Sequence, residues 1–150
     1  MSSGASICPD GAQPRLIQLA HACGLRISLM DWGATWLSCR VSVGGGEREV
    51  LLGCARLHDY FSQTAYLGAT IGRFANRIAA ARFARAGRDY ALRPNEGENQ
   101  LHGGPQGFDR RRWGIVEQST EHVLFGIESA DGDQGFPGNL VATVGYRLQD

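Results

Sequence analysis

Lysine is absent from this chain. All 15 basic residues of the 150-residue sequence are arginines. Schiff-base aldolases, enzymes that anchor pyridoxal phosphate and P-loop nucleotide-binding proteins each depend on a lysine. The sequence therefore excludes these three classes, and any chemistry must use histidine, carboxylates, cysteine, tyrosine or arginine.

An excess of charge is also missing, because 15 acidic residues balance the 15 basic ones. The chain has no overall field that would attract nucleic acid or an anionic membrane, so neither is an expected partner. The first ten residues lack the basic and apolar stretches of a signal peptide, and no segment approaches the roughly 20 apolar residues of a membrane span. We expect a cytoplasmic protein.

Patterns that would hold a metal or a cofactor are absent as well. The four cysteines, Cys8, Cys23, Cys39 and Cys54, are evenly spaced without a Cys-x-x-Cys pair or nearby paired histidines, so no zinc site is indicated. Neither a Gly-x-Ser-x-Gly elbow nor a dinucleotide-binding glycine motif occurs. We expect no metal, no organic cofactor and four reduced thiols.

No window predicts a long amphipathic helix, whereas signals for strands and turns are frequent. The 21 glycines and 5 prolines are dispersed, which is typical of short strands joined by tight turns. Gly44-Gly45-Gly46 and Ala86-Gly87 are predicted hairpin turns. Alternation of apolar and polar residues and the turn positions predict strands at 25–29, 35–43, 49–53, 83–85, 88–92, 123–127 and 140–148.

These elements predict an all-β protein, an antiparallel β-sandwich with a single helical turn at 57–61. We divide the chain into an N-terminal lead-in with a possible first strand, 1–24, and one sandwich domain, 25–150. The final strand runs to Asp150 without a closing turn and leaves an unprotected edge. This edge indicates an incomplete chain and favours association of half-domains, while the oligomeric state stays open.

Residues 68–113 contain the side chains best suited to chemistry. Asn76 and Arg77 offer an amide and a fixed cation for sugar hydroxyls. His102, 25 residues after Arg77 in a Leu-His-Gly-Gly-Pro loop, is the side chain there whose ordinary pKa suits proton transfer near neutrality. We predict that Asn76, Arg77 and His102 bind substrate and that His102 is catalytic.

Three blocks of this sequence resemble the galactose mutarotase (aldose 1-epimerase) family. The first contains Asp-Trp-Gly-Ala-Thr at 31–35 and Glu-Val-Leu-Leu-Gly at 49–53. The second and most specific is 68–113, with Gly-Arg-Phe-Ala-Asn-Arg-Ile at 72–78 and Asn-Gln-Leu-His-Gly-Gly at 99–104. The third is 131–148, with Gly-Phe-Pro-Gly-Asn-Leu at 135–140.

The resemblance implies the mutarotase-like supersandwich fold and an isomerase of carbohydrate metabolism. Such an enzyme interconverts the α and β anomers of galactose or glucose by general acid–base ring opening and closure. It implies that Asn76 and Arg77 contact sugar hydroxyls and that His102 hydrogen-bonds the sugar near its ring oxygen. The family's second histidine, in Asn-His-x-Tyr-Phe-Asn, and its late glutamate base have no counterpart here, so we expect the N-terminal half of a mutarotase.

Two other functions stay open from the sequence. A hexose 6-phosphate 1-epimerase is suggested by the arginines at 73–93 and 110–112, which could bind a phosphate. A non-catalytic carbohydrate-binding fragment is suggested by the missing base, although Glu96 or Glu98 could supply one locally. Asp131 begins a calcium-like loop, but its twelfth position is Ala142 instead of glutamate, so we predict a turn there.

Overall fold

A computed structural model of the protein describes residues 6–149. The first five residues of the predicted lead-in lie outside this range, as does Asp150, to which the final strand is predicted to run. Within residues 6–149, no helix has the length and apolar character needed to cross a membrane.

The described chain consists of short strands and single helical turns. The strands are β1 Leu16–Ala20, β2 Arg26–Met30, β3 Thr35–Val43, β4 Gly46–Glu49, β5 Arg77–Ile78, β6 Arg82–Arg85, β7 Arg88–Ala91, β8 Gln100–Leu101, β9 Gly114–Gln118, β10 His122–Ser129 and β11 Leu140–Arg147. The 3₁₀ turns are Leu57–Phe61, Ala79–Ala81, Phe108–Arg110 and Asp133–Gly135. The helical turn predicted at 57–61 is confirmed.

Two antiparallel sheets form the sandwich. One has the order β1-β2-β3-β4 and the other β11-β10-β9. Apolar residues at every second position of β1, β2 and β10 meet in one core, as period-two alternation requires. This core contains Ile17, Leu19, Ile27, Leu29, Val123, Phe125 and Ile127, together with Ala34, Phe108, Trp113 and Leu148. The predicted all-β sandwich is confirmed.

A β-bulge in β3 changes which of its residues face the core. Ser28 pairs with Ser38, whereas Leu29 pairs with Trp36, so Leu37 is the extra residue. Trp36 consequently packs on the main core, and Leu37 packs on a second cluster with Met30. An unbroken alternation over 35–43 would set Trp36 with the polar residues and Leu37 with the apolar ones, but the bulge shifts this pattern by one residue.

The strand after the glycine turn begins and ends earlier than predicted. β4 covers Gly46–Glu49 instead of 49–53. The Glu49 carboxylate accepts hydrogen bonds from the backbone N–H of Cys39 and of Leu51, at 2.7 and 3.0 Å. Because a side chain takes the Leu51 N–H, the ladder ends there, and Leu52 is 76% exposed.

The remaining predicted strands lie close to their predicted positions. The hairpin β6–β7 turns at Ala86 and Gly87, whose φ angles are 51° and 73°. β10 and β11 pair along their full lengths, from His122 opposite Arg147 to Ser129 opposite Leu140. Within the described residues β11 has a strand on one side only, which agrees with the predicted edge.

Candidate functional site

The two-residue strands β5 and β8 bring the predicted site residues together. Arg77 pairs with Leu101 and Ile78 with Gln100 in antiparallel register. Asn76 immediately precedes β5 and His102 immediately follows β8, so the next position of this register sets them opposite each other. The structure thus brings together residues that are far apart in sequence.

Asn76 and His102 are joined by two hydrogen bonds. The His102 backbone N–H donates to the Asn76 carbonyl at 3.1 Å, and the Asn76 backbone N–H donates to Nδ1 of the His102 ring at 3.0 Å. Since Nδ1 accepts a hydrogen bond, the neutral imidazole carries its proton on Nε2. His102 is therefore fixed as an Nε2–H donor.

The loop that carries His102 has a strained backbone. Asn76 and His102 adopt left-handed conformations, with φ of 68° and 52°, which non-glycine residues rarely do. Gly103 follows with φ of 90°, and a Cβ there would lie 1.7 Å from the Gly72 carbonyl oxygen. Only glycine fits at this position, and such strain is concentrated at functional sites.

Arg77 is held in place by Glu96. Its Nε and Nη2 donate to the two carboxylate oxygens of Glu96 at 2.6 Å each, and its Nη1 donates to Asn76 Oδ1 at 3.3 Å. The hydrogen bonds from Arg77 lower the pKa of Glu96. Glu96 is therefore a positioning partner of the arginine, and this pairing argues against Glu96 as a general base.

Two asparagines, which the sequence analysis did not identify, shape the loop that carries Glu96. The Asn95 amide accepts from the Leu101 backbone N–H at 2.7 Å and donates to its carbonyl at 3.0 Å. Asn99 Oδ1 accepts from the Ala80 backbone N–H at 3.1 Å. Asparagine side chains that replace backbone partners are typical of such turns. The two asparagines at 95–99 could therefore have indicated this turn from the sequence. Glu98 is exposed.

Tyr66 is a further aromatic neighbour of His102 that sequence reasoning missed. The two rings lie 4.4 Å apart at an interplanar angle of 64°, an edge-to-face arrangement. Burial raises the pKa of Tyr66, so the phenol is neutral at physiological pH. Nothing local in the sequence distinguishes Tyr66, because the contact depends on the β5–β8 pairing.

Arg73 anchors the segment that leads to Asn76. Its guanidinium donates to the Ser129 hydroxyl and to the carbonyls of Ser129, Ala130, Pro137 and Gly138. These acceptors lie at the end of β10 and in the β10–β11 connection. The connection is thereby tied to the segment that carries Asn76 and Arg77, and its five hydrogen bonds commit Arg73 to this structural role.

Arg110, Arg111 and Arg112 do not form one cationic cluster. Arg111 pairs with Asp133. Arg112 pairs with Asp10 at 2.7 Å and with Asp31 at 2.6 Å. Arg110 is 43% exposed and lies 3.6 Å from the Asp109 carboxylate. Because each arginine has an acidic partner, this group gives little support to the predicted phosphate site.

Asp109 is a further residue near His102 in the electrostatics of this region that sequence reasoning did not single out. Its side chain is 9% exposed. Burial raises its pKa, against the opposing charges of Arg110 and His102. The desolvated carboxyl is thus the acidic group of this region with the strongest tendency to hold a proton.

The calcium-like loop is a turn, as predicted. The Asp131 carboxylate accepts the Gly138 backbone N–H, and the Asp131 backbone N–H donates to Asn139 Oδ1 at 2.8 Å. Among residues 6–149, no group of three or more histidine, cysteine, aspartate or glutamate side chains is arranged to hold a metal ion.

Asn76, Arg77 and His102 lie on an open surface. Asn76 and Arg77 are exposed and His102 is half-buried. A cavity of about 440 Å³ is lined by Asp10, Trp32, Gln106, Asp133 and the three consecutive arginines, and none of the three predicted site residues lines it. Chemically, the surface offers hydrogen-bond donors from Arg77 and His102 beside an amide, an arrangement suited to a polyhydroxylated ligand.

Comparison with known proteins gives a consistent result. The family model described as aldose 1-epimerase matches residues 15–150. The aldose 1-epimerase of Escherichia coli K12 is 56% identical over 146 residues, which cover 97% of this chain and 42% of that protein. The galactose mutarotase of Homo sapiens is 40% identical over 83% of this chain and 36% of its own length.

Solved structures show the same relationship. The aldose epimerase homologue from C. elegans superposes with a TM-score of 0.85 and 32% identity, over 91% of this chain and 42% of that one. The galactose 1-epimerase from Lactobacillus acidophilus superposes with a TM-score of 0.79 and 27% identity, over 93% and 42%. The chain spans less than half the length of these relatives. By sequence and by fold, it belongs to the aldose 1-epimerase family.

Proposed function

We propose that this chain provides the sugar-orienting part of an aldose 1-epimerase, which interconverts the α and β anomers of a free hexose such as galactose or glucose. The observation that carries the proposal is the hydrogen bond from the Asn76 backbone N–H to His102 Nδ1. It makes Nε2–H of His102 an oriented donor beside Arg77. Relatives named aldose 1-epimerase and galactose mutarotase support the same activity.

The reaction needs two proton transfers. A base removes the proton of the C1 hydroxyl, and an acid protonates the ring oxygen as the ring opens; rotation about C1–C2 precedes closure on the other face. In our proposal His102 donates its Nε2–H hydrogen bond to the ring oxygen. This bond strengthens as negative charge develops on that oxygen.

Arg77 and Asn76 hold hydroxyl groups that do not react. Glu96 and Asn76 occupy three of the five N–H donors of Arg77, which leaves one hydrogen on each Nη for the sugar. A guanidinium locked by a carboxylate loses less side-chain entropy when the sugar binds. Binding is thereby converted into orientation of the sugar at His102.

In our proposal, Glu96 is not the base that removes the proton of the C1 hydroxyl. Glu96 is committed to Arg77, and its pKa is lowered by that pairing, so it is a weak proton acceptor near neutrality. The resemblance to the family implies a second histidine and a late glutamate, and this chain, which spans 42% of the E. coli relative, contains neither of the two motifs. We place the protein in the cytoplasm, in carbohydrate metabolism.

Sugar binding can be tested on this chain directly. We expect D-galactose to shift the imidazole ¹H and ¹⁵N resonances of His102 while those of His122, in β10 of the sandwich, stay unchanged. His102→Gln should weaken binding, and His122→Gln is the matched control. No shift at His102 at saturating sugar would contradict the proposal.

Polarimetry with freshly dissolved α-D-galactose then separates the possible functions. Binding without faster mutarotation would support a carbohydrate-binding role for this chain, with catalysis requiring groups that its residues do not supply. Faster mutarotation that His102→Gln removes would show that the described residues suffice. Binding of galactose 6-phosphate but not of galactose would instead favour a phosphosugar enzyme.

A further inference from the structure

Trp32 has an indole N–H for which the fold supplies no acceptor. The chain contains three tryptophans. Nε1 of Trp36 and Nε1 of Trp113 each donate to a backbone carbonyl, at 2.9 and 3.0 Å. Trp32 is only 7% exposed, yet among residues 6–149 no hydrogen bond uses its indole N–H. Because an indole N–H that is buried usually has a partner, this donor is available to a ligand.

The Trp32 N–H is not sealed inside the core. Within the described part of the chain, Gln100 Oε1 is the one fully buried side-chain nitrogen or oxygen without a partner, so Trp32 Nε1 is reached from outside. Trp32 lines the cavity of about 440 Å³ and a second one of about 370 Å³. The residues that line both cavities are Asp10, Trp32, Gln106 and Arg110. A single ligand can therefore contact both.

Arg110 and Gln106 bring further unused donors to the two cavities. Arg110 Nε lies 3.6 Å from the Asp109 carboxylate, which is too long for a hydrogen bond. No hydrogen bond among the described residues uses the Arg110 guanidinium or the Gln106 side-chain amide. The Gln106 backbone N–H donates to Gln134 Oε1 at 3.2 Å, which holds this segment in place. The cavities thus present donors whose acceptors must come from a ligand.

The charges around the first cavity favour a singly charged anion. Its charged lining residues are Asp10, Asp133, Arg110, Arg111 and Arg112. Arg111 pairs with Asp133, and Arg112 pairs with Asp10. Three positive charges against two negative ones leave one positive charge, and the arginine without a hydrogen-bonded carboxylate is Arg110. A ligand with one negative charge would balance this lining.

The second cavity adds an apolar wall. Pro9, Phe61 and Pro105 line it together with Trp32. The rings of Trp32 and Phe61 pack edge to face, with centroids 6.5 Å apart at an interplanar angle of 79°. An antiparallel bridge between Trp32 and Arg112 fixes the indole beside the three arginines. An apolar or aromatic body attached to the anionic group would be buried against this wall.

We propose that these two cavities form a binding site for a small organic monocarboxylate. The carboxylate accepts hydrogen bonds from the Arg110 guanidinium, from Trp32 Nε1–H and from the Gln106 amide, and its apolar body lies against the apolar wall. A planar carboxylate matches the parallel N–H groups of a guanidinium. None of the predicted sugar-binding residues lines either cavity, so the site does not rest on the proposed function.

Benzoate is the probe, and the three indole N–H resonances report on the site by ¹H–¹⁵N NMR. We expect benzoate to shift the Trp32 Nε1–H resonance, while those of Trp36 and Trp113 stay unchanged because backbone carbonyls already accept their protons. Benzamide has the same shape without the charge and should bind about tenfold more weakly, since hydrogen bonds to a charged group are stronger. An unchanged Trp32 resonance, or equal binding of the two probes, would overturn the proposal.

A pair of variants tests the role of Arg110. Arg110→Gln keeps a polar side chain but removes the charge, and should raise the dissociation constant of benzoate at least about tenfold. Arg48→Gln, at an exposed arginine of β4, is the matched control and should leave the dissociation constant unchanged. Unchanged affinity in Arg110→Gln, or an equal loss in both variants, would overturn the proposal.

Two other ligands define the class that the site accepts. Inorganic phosphate lacks an apolar body and should bind more weakly than benzoate; tighter binding of phosphate would overturn the assignment to a carboxylate. D-galactose should leave the Trp32 resonance unchanged. A shift of that resonance by galactose would make the cavities part of the sugar site and would overturn their separate role.

Discussion

The sandwich and the site segment, residues 66–110, are stabilised in different ways. The sandwich relies on long ladders, such as the eight-residue strands β10 and β11, and on an apolar core. The site segment contains two-residue strands, left-handed backbone at Tyr66, Asn76 and His102, and many side-chain hydrogen bonds. Regular strand pairing stabilises the sandwich, whereas side chains that replace backbone partners determine the geometry around Asn76, Arg77 and His102.

The largest effect is expected from truncation of the sandwich core. Phe125 is 0% exposed and lies in β10 between the two sheets. Phe125→Ala should reduce the free energy of unfolding by about 3–5 kcal/mol, because it removes buried apolar surface and leaves a cavity. Urea unfolding followed by circular dichroism measures this loss.

The matched control is Phe74→Ala in the site segment, at a phenylalanine that is 47% exposed. We expect a much smaller loss there, since little apolar surface is removed from contact. Equal losses for the two variants would show that the site segment depends on apolar packing as strongly as the sandwich does.

A smaller loss is expected at the ion pair between Arg112, which follows the site segment, and Asp31, which follows β2. Arg112 donates to Asp31 at 2.6 Å, and Asp31 is only 2% exposed. Arg112→Met should cost about 3 kcal/mol, because it leaves a buried carboxylate without its cation. Arg56→Met is the control, since its pair with Asp59 is on the surface, where Arg56 is 80% exposed. A stability loss in the control equal to that of Arg112→Met would argue against a special role for burial.

The smallest expected effect concerns the pH dependence of stability. The contributions of Asp10 and Asp109 to the free energy of unfolding should change with pH in opposite directions. Hydrogen bonds from Arg112 lower the pKa of Asp10, so Asp10 stabilises the fold above its unfolded pKa, and this contribution is lost as pH falls through the folded value. Burial raises the pKa of Asp109, so its contribution is complete below the unfolded pKa and is lost as pH rises through the folded value.

Asparagine substitutions test these signs. Relative to the parent chain, Asp10→Asn should be more destabilising at pH 7 than at pH 3. Asp109→Asn should be less destabilising, or even stabilising, at pH 7 compared with pH 3. Urea midpoints at the two pH values measure both differences. If the stability losses of both variants changed in the same direction between pH 3 and pH 7, the predicted difference between Asp10 and Asp109 would be wrong.

Several features could be predicted from the sequence because they depend on local pattern. The alternation of apolar and polar residues predicted β2, β3, β10 and β11, and short glycine-containing sequences predicted two hairpin turns. The extent of β4 was predicted incorrectly, and the bulge in β3 was not predicted. A carboxylate that captures a backbone N–H and a one-residue bulge leave no signature in a period-two pattern.

The predicted site residues Asn76, Arg77 and His102 stay predictions, although the structure places them together. Their chemistry could be proposed from residue type and from the resemblance to the family. The tautomer of His102, the role of Glu96 and the contact of Tyr66 could not, because each depends on a partner from a distant position in the chain.

The sequence by itself determined the class of fold through its local periodicity and the absence of lysine chemistry through its composition. It indicated the family through the resemblance of three sequence blocks. The tertiary structure decided which donors are available to a ligand. Antiparallel register placed Asn76 opposite His102. Long-range hydrogen bonds committed Arg73 to a structural role, and long-range ion pairs did the same for Arg111 and Arg112. A donor is available only if no acceptor in the folded chain already occupies it, and those acceptors lie elsewhere in the sequence.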